Sequence, residues 1–252
     1  MVHRANASHI GGCLSIADLL GVLYTSVLRV DPRRPDWPLR DHFILSKGHA
    51  AAALYAVLAE RGFFPLEWLE DFCRDGGRLC GHVTSPRVPG VEVSTGSLGH
   101  GLSIGCGMAL AAARARRPTR VFVLLSDGEL DEGSTWEAIL FAAHHRLDDL
   151  VAIVDYNKIQ SFGRVADVLD LDPLAEKWRA FRWAAREIDG HDHDAIAAAL
   201  AAVPFETGRP SVVVAHTVKG KGVSFMENDL AWHYKSPDPA QLARALAEIG
   251  AA

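Results

Sequence analysis

The sequence has no long apolar run, no dense cysteine framework and no excess of basic charge. The longest hydrophobic stretches fall well short of a bilayer span, and the start, Met-Val-His-Arg-Ala-Asn, has no apolar signal core. The four cysteines, Cys13, Cys73, Cys80 and Cys106, form no CxxC pair. They read as reduced, mostly buried thiols of a cytoplasmic protein, and Cys80-Gly81-His82 without a second pair is a poor zinc site. The formal net charge of −5 argues against non-specific binding to nucleic acid or an anionic membrane, which would require a basic face. Internal repeats, low-complexity tracts and evident linkers are also absent. What remains is an ordinary globular chain of 252 residues, which reads as a single domain over 1–252.

What the sequence does have is alternation. Periodic apolar spacing predicts helices over 12–30, 51–62, 65–77 and 102–117, with a short strand at 41–46. A long irregular segment, "CGHVTSPRVPGVEVSTGSLGHG" (80–101), is rich in Gly, Pro, Ser and His, and loops of such length are usually functional or disordered. From 120 onward, strands at 120–125, 150–155, 183–188 and 210–216 alternate with helices at 132–146, 172–180 and 192–203. Short apolar runs separated by helices of such length imply an α/β fold. The expected form is a doubly wound, mostly parallel sheet with helices on both faces.

Within that pattern, "LLSDGELDEGSTWEA" drives an apolar strand into a turn carrying Asp127, Glu129, Asp131, Glu132 and Glu137. Asn157 ends the next apolar run, in "VAIVDYNKIQ". Ligands of open α/β sheets lie beyond the carboxyl ends of the strands. A carboxylate and an amide oxygen there are hard donors, suited to Mg²⁺ or Ca²⁺, and Gly128 lets backbone approach a phosphate closely. By itself, Asp127-Gly128 reads better as an ordinary strand-to-helix turn with acidic residues near a helix start.

The wider constellation separates the two. Asp127-Gly128-Glu129 with Asn157 resembles the thiamine-diphosphate motif Gly-Asp-Gly…Asn. "LSKGHAAAALYAVLAERG", "STGSLGHGLSIGCGMALA", "DEGSTWEA" and "TVKGKGVSFMENDLAWH" are similar to the amino-terminal part of transketolases, in order, from about His9 to His233. The resemblance implies Mg²⁺ (or Ca²⁺) held by Asp127, Asn157 and the carbonyl of Ile159. It places Gly128 against the diphosphate, with Gly96 and Leu98 holding the aminopyrimidine by their backbones. It sets His9, His49, His82 and His233 around cofactor and donor sugar, with His49 and His233 also contacting the cofactor. Imidazole suits sugar hydroxyls, diphosphate and proton movement near neutral pH. Glu132 matches an acidic residue near the interface between paired subunits; a helix N-terminal charge is its plain alternative.

Three positions depart from or vary the pattern. Ser126 stands where the motif has its first glycine, a small-for-small exchange. Tyr234 follows His233 where glycine is usual. His100 stands where full-length members have glutamine, and histidine there is similar to two-subunit versions.

The resemblance implies transfer of a two-carbon ketol unit from a ketose, often phosphorylated, to an aldose. The glutamate that activates the cofactor belongs, in that family, to a later pyrimidine-binding domain, which would begin where this chain ends. A separate carboxy-terminal partner subunit in an α₂β₂ heterotetramer is therefore expected. Two alternatives stand beside it. One is another thiamine-diphosphate-dependent carbon–carbon bond enzyme, such as a 2-oxo-acid dehydrogenase or a deoxyxylulose-phosphate synthase. The other is a non-catalytic, partner-binding subunit that retains the fold.

Overall fold

A computed structural model describes residues 1–250. Its strands are β1 (His42–Leu45), β2 (Val121–Ser126), β3 (Leu150–Tyr156), β4 (Ile159–Gln160), β5 (Gly163–Arg164), β6 (Ala184–Asp189) and β7 (Ser211–His216). Its helices are α1 (Val2–Ala5), α2 (Ile10–Leu14), α3 (Ala17–Val22), α4 (Ala51–Glu60), α5 (Gly101–Arg114), α6 (Gly133–His144), α7 (Val165–Val168), α8 (Leu174–Ala180), α9 (His193–Ala201) and α10 (Pro239–Glu248). Five strands form one sheet in the order β1-β2-β3-β7-β6, parallel throughout. β4 and β5 make a separate antiparallel hairpin.

The central strands are apolar at nearly every position because both faces are covered. Successive side chains alternate between faces. Phe122, Leu124, Val151, Ile153 and Val213 pack with Leu19 and Leu20 of α3, Leu54, Tyr55 and Leu58 of α4, and Ile196 and Leu200 of α9. Val121, Val123, Leu125, Ala152, Val154 and Val214 pack on the other face with Leu102 and Cys106 of α5, Ile139 of α6, and Trp178 of α8. A fully buried aliphatic side chain contributes about 1.5–3 kcal/mol, so these two layers dominate the fold's stability. No helix among the described residues is long and apolar enough to cross a membrane.

The alternating elements from 120 onward lie within a few residues of their expected bounds, whereas two early helices differ. The expected helix 12–30 is broken into α2, α3 and a π-helical turn at Leu23–Val27. The break at Ser15–Ile16 turns the Ser15 hydroxyl onto Asp155 Oδ2 at 2.7 Å. The expected helix 65–77 shrinks to a 3₁₀ segment, Leu66–Asp71. Cys73 then adopts φ +54° and its N–H donates to Leu79 O at 2.8 Å, which turns the chain back. Of the four thiols, all free, only Cys13 and Cys106 are buried; Cys73 is exposed.

Candidate active site

Four adjacent strands, β1, β2, β3 and β7, each send a polar residue past their carboxyl ends. Lys47 follows β1, Asp127 follows β2, Asn157 follows β3 and Lys219 follows β7, and all four line one cleft of about 180 Å³. Ser126 pairs in register with Asp155, so Asp127 and Asn157 emerge side by side. A parallel sheet with covered faces leaves its strand ends as the open place for polar groups.

Asp127 is 1% exposed. Its Oδ1 accepts from the Gly128 N–H at 2.8 Å and its Oδ2 from the Lys158 N–H at 2.5 Å. Burial, reinforced by the Asp155 carboxylate, pushes its carboxyl up to about 6. Asn157 Oδ1 accepts from the Ile159 N–H at 3.1 Å, and its Nδ2 donates to Asp155 Oδ2 at 2.8 Å. The Ile159 carbonyl accepts from Lys219 Nζ at 2.9 Å. Carboxylate, amide oxygen and carbonyl thus sit on one wall with an ammonium among them.

Asp155, buried under this wall, is a residue that sequence reading does not single out. Lys47 Nζ donates to its Oδ2 at 2.5 Å, Asn157 and Ser15 donate to the same oxygen, and the Thr217 hydroxyl donates to Oδ1. Burial alone would raise the Asp155 carboxyl, but the Lys47 ammonium and these donors hold it below the usual range. Glu129 is the second buried carboxyl. Its Oε1 accepts from the Ser46 hydroxyl at 2.5 Å and the Gly99 N–H at 2.9 Å, fastening the glycine-rich loop to the sheet. Ser126 does more than replace a glycine, since its Oγ accepts from the Glu129 N–H at 3.2 Å.

Four histidines form a second wall of the same cleft. His9 precedes α2 with φ +75°, and its N–H donates to the His233 carbonyl at 2.9 Å. His49 lies in a 3₁₀ turn before α4, His82 in the irregular segment, and His233 in a 3₁₀ turn at Leu230–His233. Ring centroids lie 5.0 Å (His9–His49), 5.2 Å (His9–His233), 5.9 Å (His9–His82) and 6.0 Å (His49–His233) apart. Burial, with the Lys47 ammonium second, lowers His49 to about 2. Burial and the His82 ring lower His9 to about 4; burial and Lys219 lower His233 to about 3. Lys219 Nζ donates to His233 Nδ1 at 2.9 Å, which requires that nitrogen to be unprotonated. At neutral pH these three rings are uncharged, each with one nitrogen free to accept a hydrogen bond.

Gly96 and Leu98 also line the cleft. Gly96 has φ +144°, and a Cβ there would fall 2.6 Å from the His82 ring, so only glycine fits. A Cβ on Gly128 would fall 2.8 Å from Gln160 Cβ, so that glycine is needed for packing on the β4–β5 hairpin. Glu132 is not brought into the cleft: it is exposed at the start of α6 without a side-chain capping bond. His100 is exposed as well, its ring against the Leu98 carbonyl at 2.9 Å.

Among residues that sequence reasoning misses, Asp155 carries a readable signal: a lone carboxylate inside an apolar run signals a buried, paired charge. Lys47, in "SKGH", gives no such sign. In "TVKGKG" nothing separates Lys219, buried, from the exposed Lys221.

Comparison with known proteins places the chain in a family. Residues 1–245 match the family described as transketolase, thiamine diphosphate binding domain. The chain is 43% identical over 248 residues to the 6-deoxy-6-sulfo-D-fructose transketolase subunit of Clostridium sp. (strain MSTE9), covering 98% of this chain and 90% of that protein. Its identity is 40% over 249 residues to one of the apulose-4-phosphate transketolase subunits of Phocaeicola vulgatus, covering 99% and 88%. The solved transketolase from Leishmania mexicana superposes with a TM-score of 0.94 at 30% identity, covering 99% of this chain and 39% of that one. The chain thus spans most of the subunit-type relatives and about two-fifths of that solved transketolase. With the fold, the cleft and these likenesses in agreement, the chain belongs to the transketolase family, as one of its amino-terminal, thiamine-diphosphate-binding subunits.

Proposed function

We propose that this chain is the cofactor-binding half of a two-component transketolase. The enzyme would move a two-carbon ketol unit from a ketose or ketose phosphate to an aldose acceptor. The observation that carries the reading is the delivery of Lys47, Asp127, Asn157 and Lys219 by four neighbouring strand ends to one cleft that four histidines also line.

The donor set fits the cofactor and its metal. Among the described residues, no group of three His, Cys, Asp or Glu is arranged to hold an ion unaided. An ion here would rely on Asp127, the amide oxygen of Asn157, the carbonyl of Ile159 and ligand oxygens, a set suited to Mg²⁺ or Ca²⁺. Lys47 and Lys219 set positive charge beside a diphosphate, and the backbones of Gly96 and Leu98 offer polar groups to a planar ring. Thiamine diphosphate, when bound, supplies the electron sink for carbon–carbon cleavage. The chain's own residues then bind and orient. His9 and His49 hold hydrogen-bonding partners as neutral rings, and His82 and His233 move protons at the sugar hydroxyls. Glu132, on the exposed rim, would act only once covered.

That cover would come from a separate carboxy-terminal subunit whose pyrimidine-binding domain brings the activating glutamate. The working assembly would be a cytoplasmic heterotetramer with two copies of each subunit, and this chain would enter it as a single domain. The test is to assay the purified chain with Mg²⁺, thiamine diphosphate and a ketose phosphate, with and without its partner subunit. Activity only with the partner is expected. Full turnover by this chain alone would refute the two-subunit reading. Silence of the reconstituted complex across several donors would favour a non-catalytic scaffold.

A further inference from the structure

We infer that His191, braced by Asp18, is a positioning residue that fixes Lys219 in the cleft from outside it. The inference rests on the proposed function only for what Lys219 serves; the brace itself is geometric. His191 follows β6 closely, and its side chain is 11% exposed. Its Nε2 accepts from the Val218 N–H at 2.9 Å. A ring nitrogen that accepts carries no proton, so the proton sits on Nδ1 and is donated to Asp18 Oδ2 at 2.8 Å. Asp18 Oδ1 pairs with His193 Nε2 at 2.7 Å. Asp18 thus ties α3 to the turn before α9, and His191 ties that turn to Val218. Asp18, His191 and Val218 all lie outside the cleft lining.

Val218 directly precedes Lys219. The segment is fastened on either side, because the Thr217 N–H donates to Tyr156 O at 3.3 Å and the Gly220 N–H to Gly11 O at 2.9 Å. Gly190 presses so close to Thr217 that a Cβ would lie 2.4 Å from its methyl. Between those fixed points, the Val218 amide has His191 as its acceptor. Lysine reaches its targets on a flexible four-carbon stem, so its backbone must be placed accurately. Lys219 Nζ meets Ile159 O and His233 Nδ1, each at 2.9 Å, while 2% exposed. A small loosening of this backbone would open the buried Lys219 side chain to solvent and reagent.

The test reads Lys219 itself in the full chain without cofactor, by reductive methylation and mass spectrometry. His191→Ala should raise Lys219 labelling about tenfold, the scale of one lost hydrogen bond to a buried group, with Lys221 unchanged as internal control. His191→Gln, whose amide oxygen can accept from the Val218 N–H, should restore protection. If the Ala variant fails to fold, Asp18→Ala leaves the ring in place without its anchor and should label at an intermediate rate. Lys219 labelling equal to wild type in folded His191→Ala, or in folded Asp18→Ala, would overturn the inference. A separate titration of thiamine diphosphate with Mg²⁺ onto the complex should show about tenfold weaker binding in the Ala variant and recovery in the Gln variant. Absence of binding by the wild-type complex would sink the proposed function while leaving the labelling result to stand or fall alone.

Discussion

The oxygen-donor wall of the cleft rests on the sheet, whereas the histidine wall rests on loops. Asp127 and Asn157 are 1% and 4% exposed, and each is locked by hydrogen bonds to the backbone of its own turn or its neighbour's. His9, His49, His82 and His233 come from four separate segments and meet only through tertiary folding. One wall is preorganised by strand register. The other depends on the Glu129 fastening of the glycine-rich loop, on the His9 backbone bond to His233, and on the Lys219 contact. Ligands for an ion and groups that act on a substrate both need fixed geometry, so the histidine wall must take its precision from these tertiary contacts.

The largest difference between the walls should show at Asp127. Asp127→Ala should abolish Mg²⁺-dependent binding of thiamine diphosphate in the reconstituted complex, a loss of roughly a thousandfold or more. Losing an outer-shell partner of an ion already costs about 10–100-fold. Isothermal titration calorimetry would measure it, and unchanged affinity in a folded variant would remove the ion from this wall.

The histidine wall should respond differently. His82→Ala and His233→Ala should bind cofactor within a modest factor but lose roughly 10²–10⁴-fold in turnover, the scale of general acid–base contributions. Steady-state kinetics with cofactor affinity measured in parallel would separate the two. Normal turnover in both variants would leave these rings as packing residues. Tyr234 makes His233 the more informative of the pair. Its ring lies 4.7 Å from that imidazole, and its hydroxyl donates to Ser161 O at 3.2 Å.

Beneath both walls, the Lys47–Asp155 pair should matter for folding. Lys47→Met leaves a buried carboxylate without its cation, and breaking such a pair typically costs about 3–5 kcal/mol. Urea unfolding would report it. A change under about 1 kcal/mol would mean that the Ser15, Thr217 and Asn157 donors suffice for Asp155.

The two walls also differ in how far the sequence reveals them. Asp127 and Asn157 are legible because each ends an apolar run, and strand ends are where an open sheet binds ligands. The histidines are legible only through resemblance, since no local pattern distinguishes His9 from His3. Apolar spacing misreads the early helix over 12–30 because it does not show that Ser15 turns inward to Asp155. α10 goes unread despite a visible signal, Asp238-Pro239 with Gln241 at the third helical position, which forms a reciprocal capping box. Glu129 counts in the sequence only among a crowd of carboxylates. That its side chain turns inward while Glu132 turns out follows from the 3₁₀ turn at Gly128–Asp131, a detail that composition cannot supply.

The gentlest expected effect, the pH dependence of stability in the metal-free chain, opposes the walls directly. Burial first, and neighbouring positive groups after it, lower His9 to about 4, His233 to about 3 and His49 to about 2, from an ordinary 6.5. As pH falls below 6.5, these rings take up protons in the unfolded chain but stay neutral in the folded one. The unfolded state then binds more protons, so the histidine contribution is fully present above 6.5 and is lost on acidification. The loss is at most about 1.4 kcal/mol per pH unit for each ring, and less for the partly exposed His9 and His233. Asp127 acts in the opposite sense. Its carboxyl, raised to about 6 from 3.8, binds its proton more tightly when folded, so acidification between those values relieves a strain. Urea midpoints from pH 7 to pH 4 should therefore fall with acid in the wild type. The fall should steepen in Asp127→Asn and flatten in a His9→Asn, His233→Asn double variant. Profiles that overlay the wild type in both cases would mean that the histidine wall is hydrated and charged, and that burial does not hold its rings neutral.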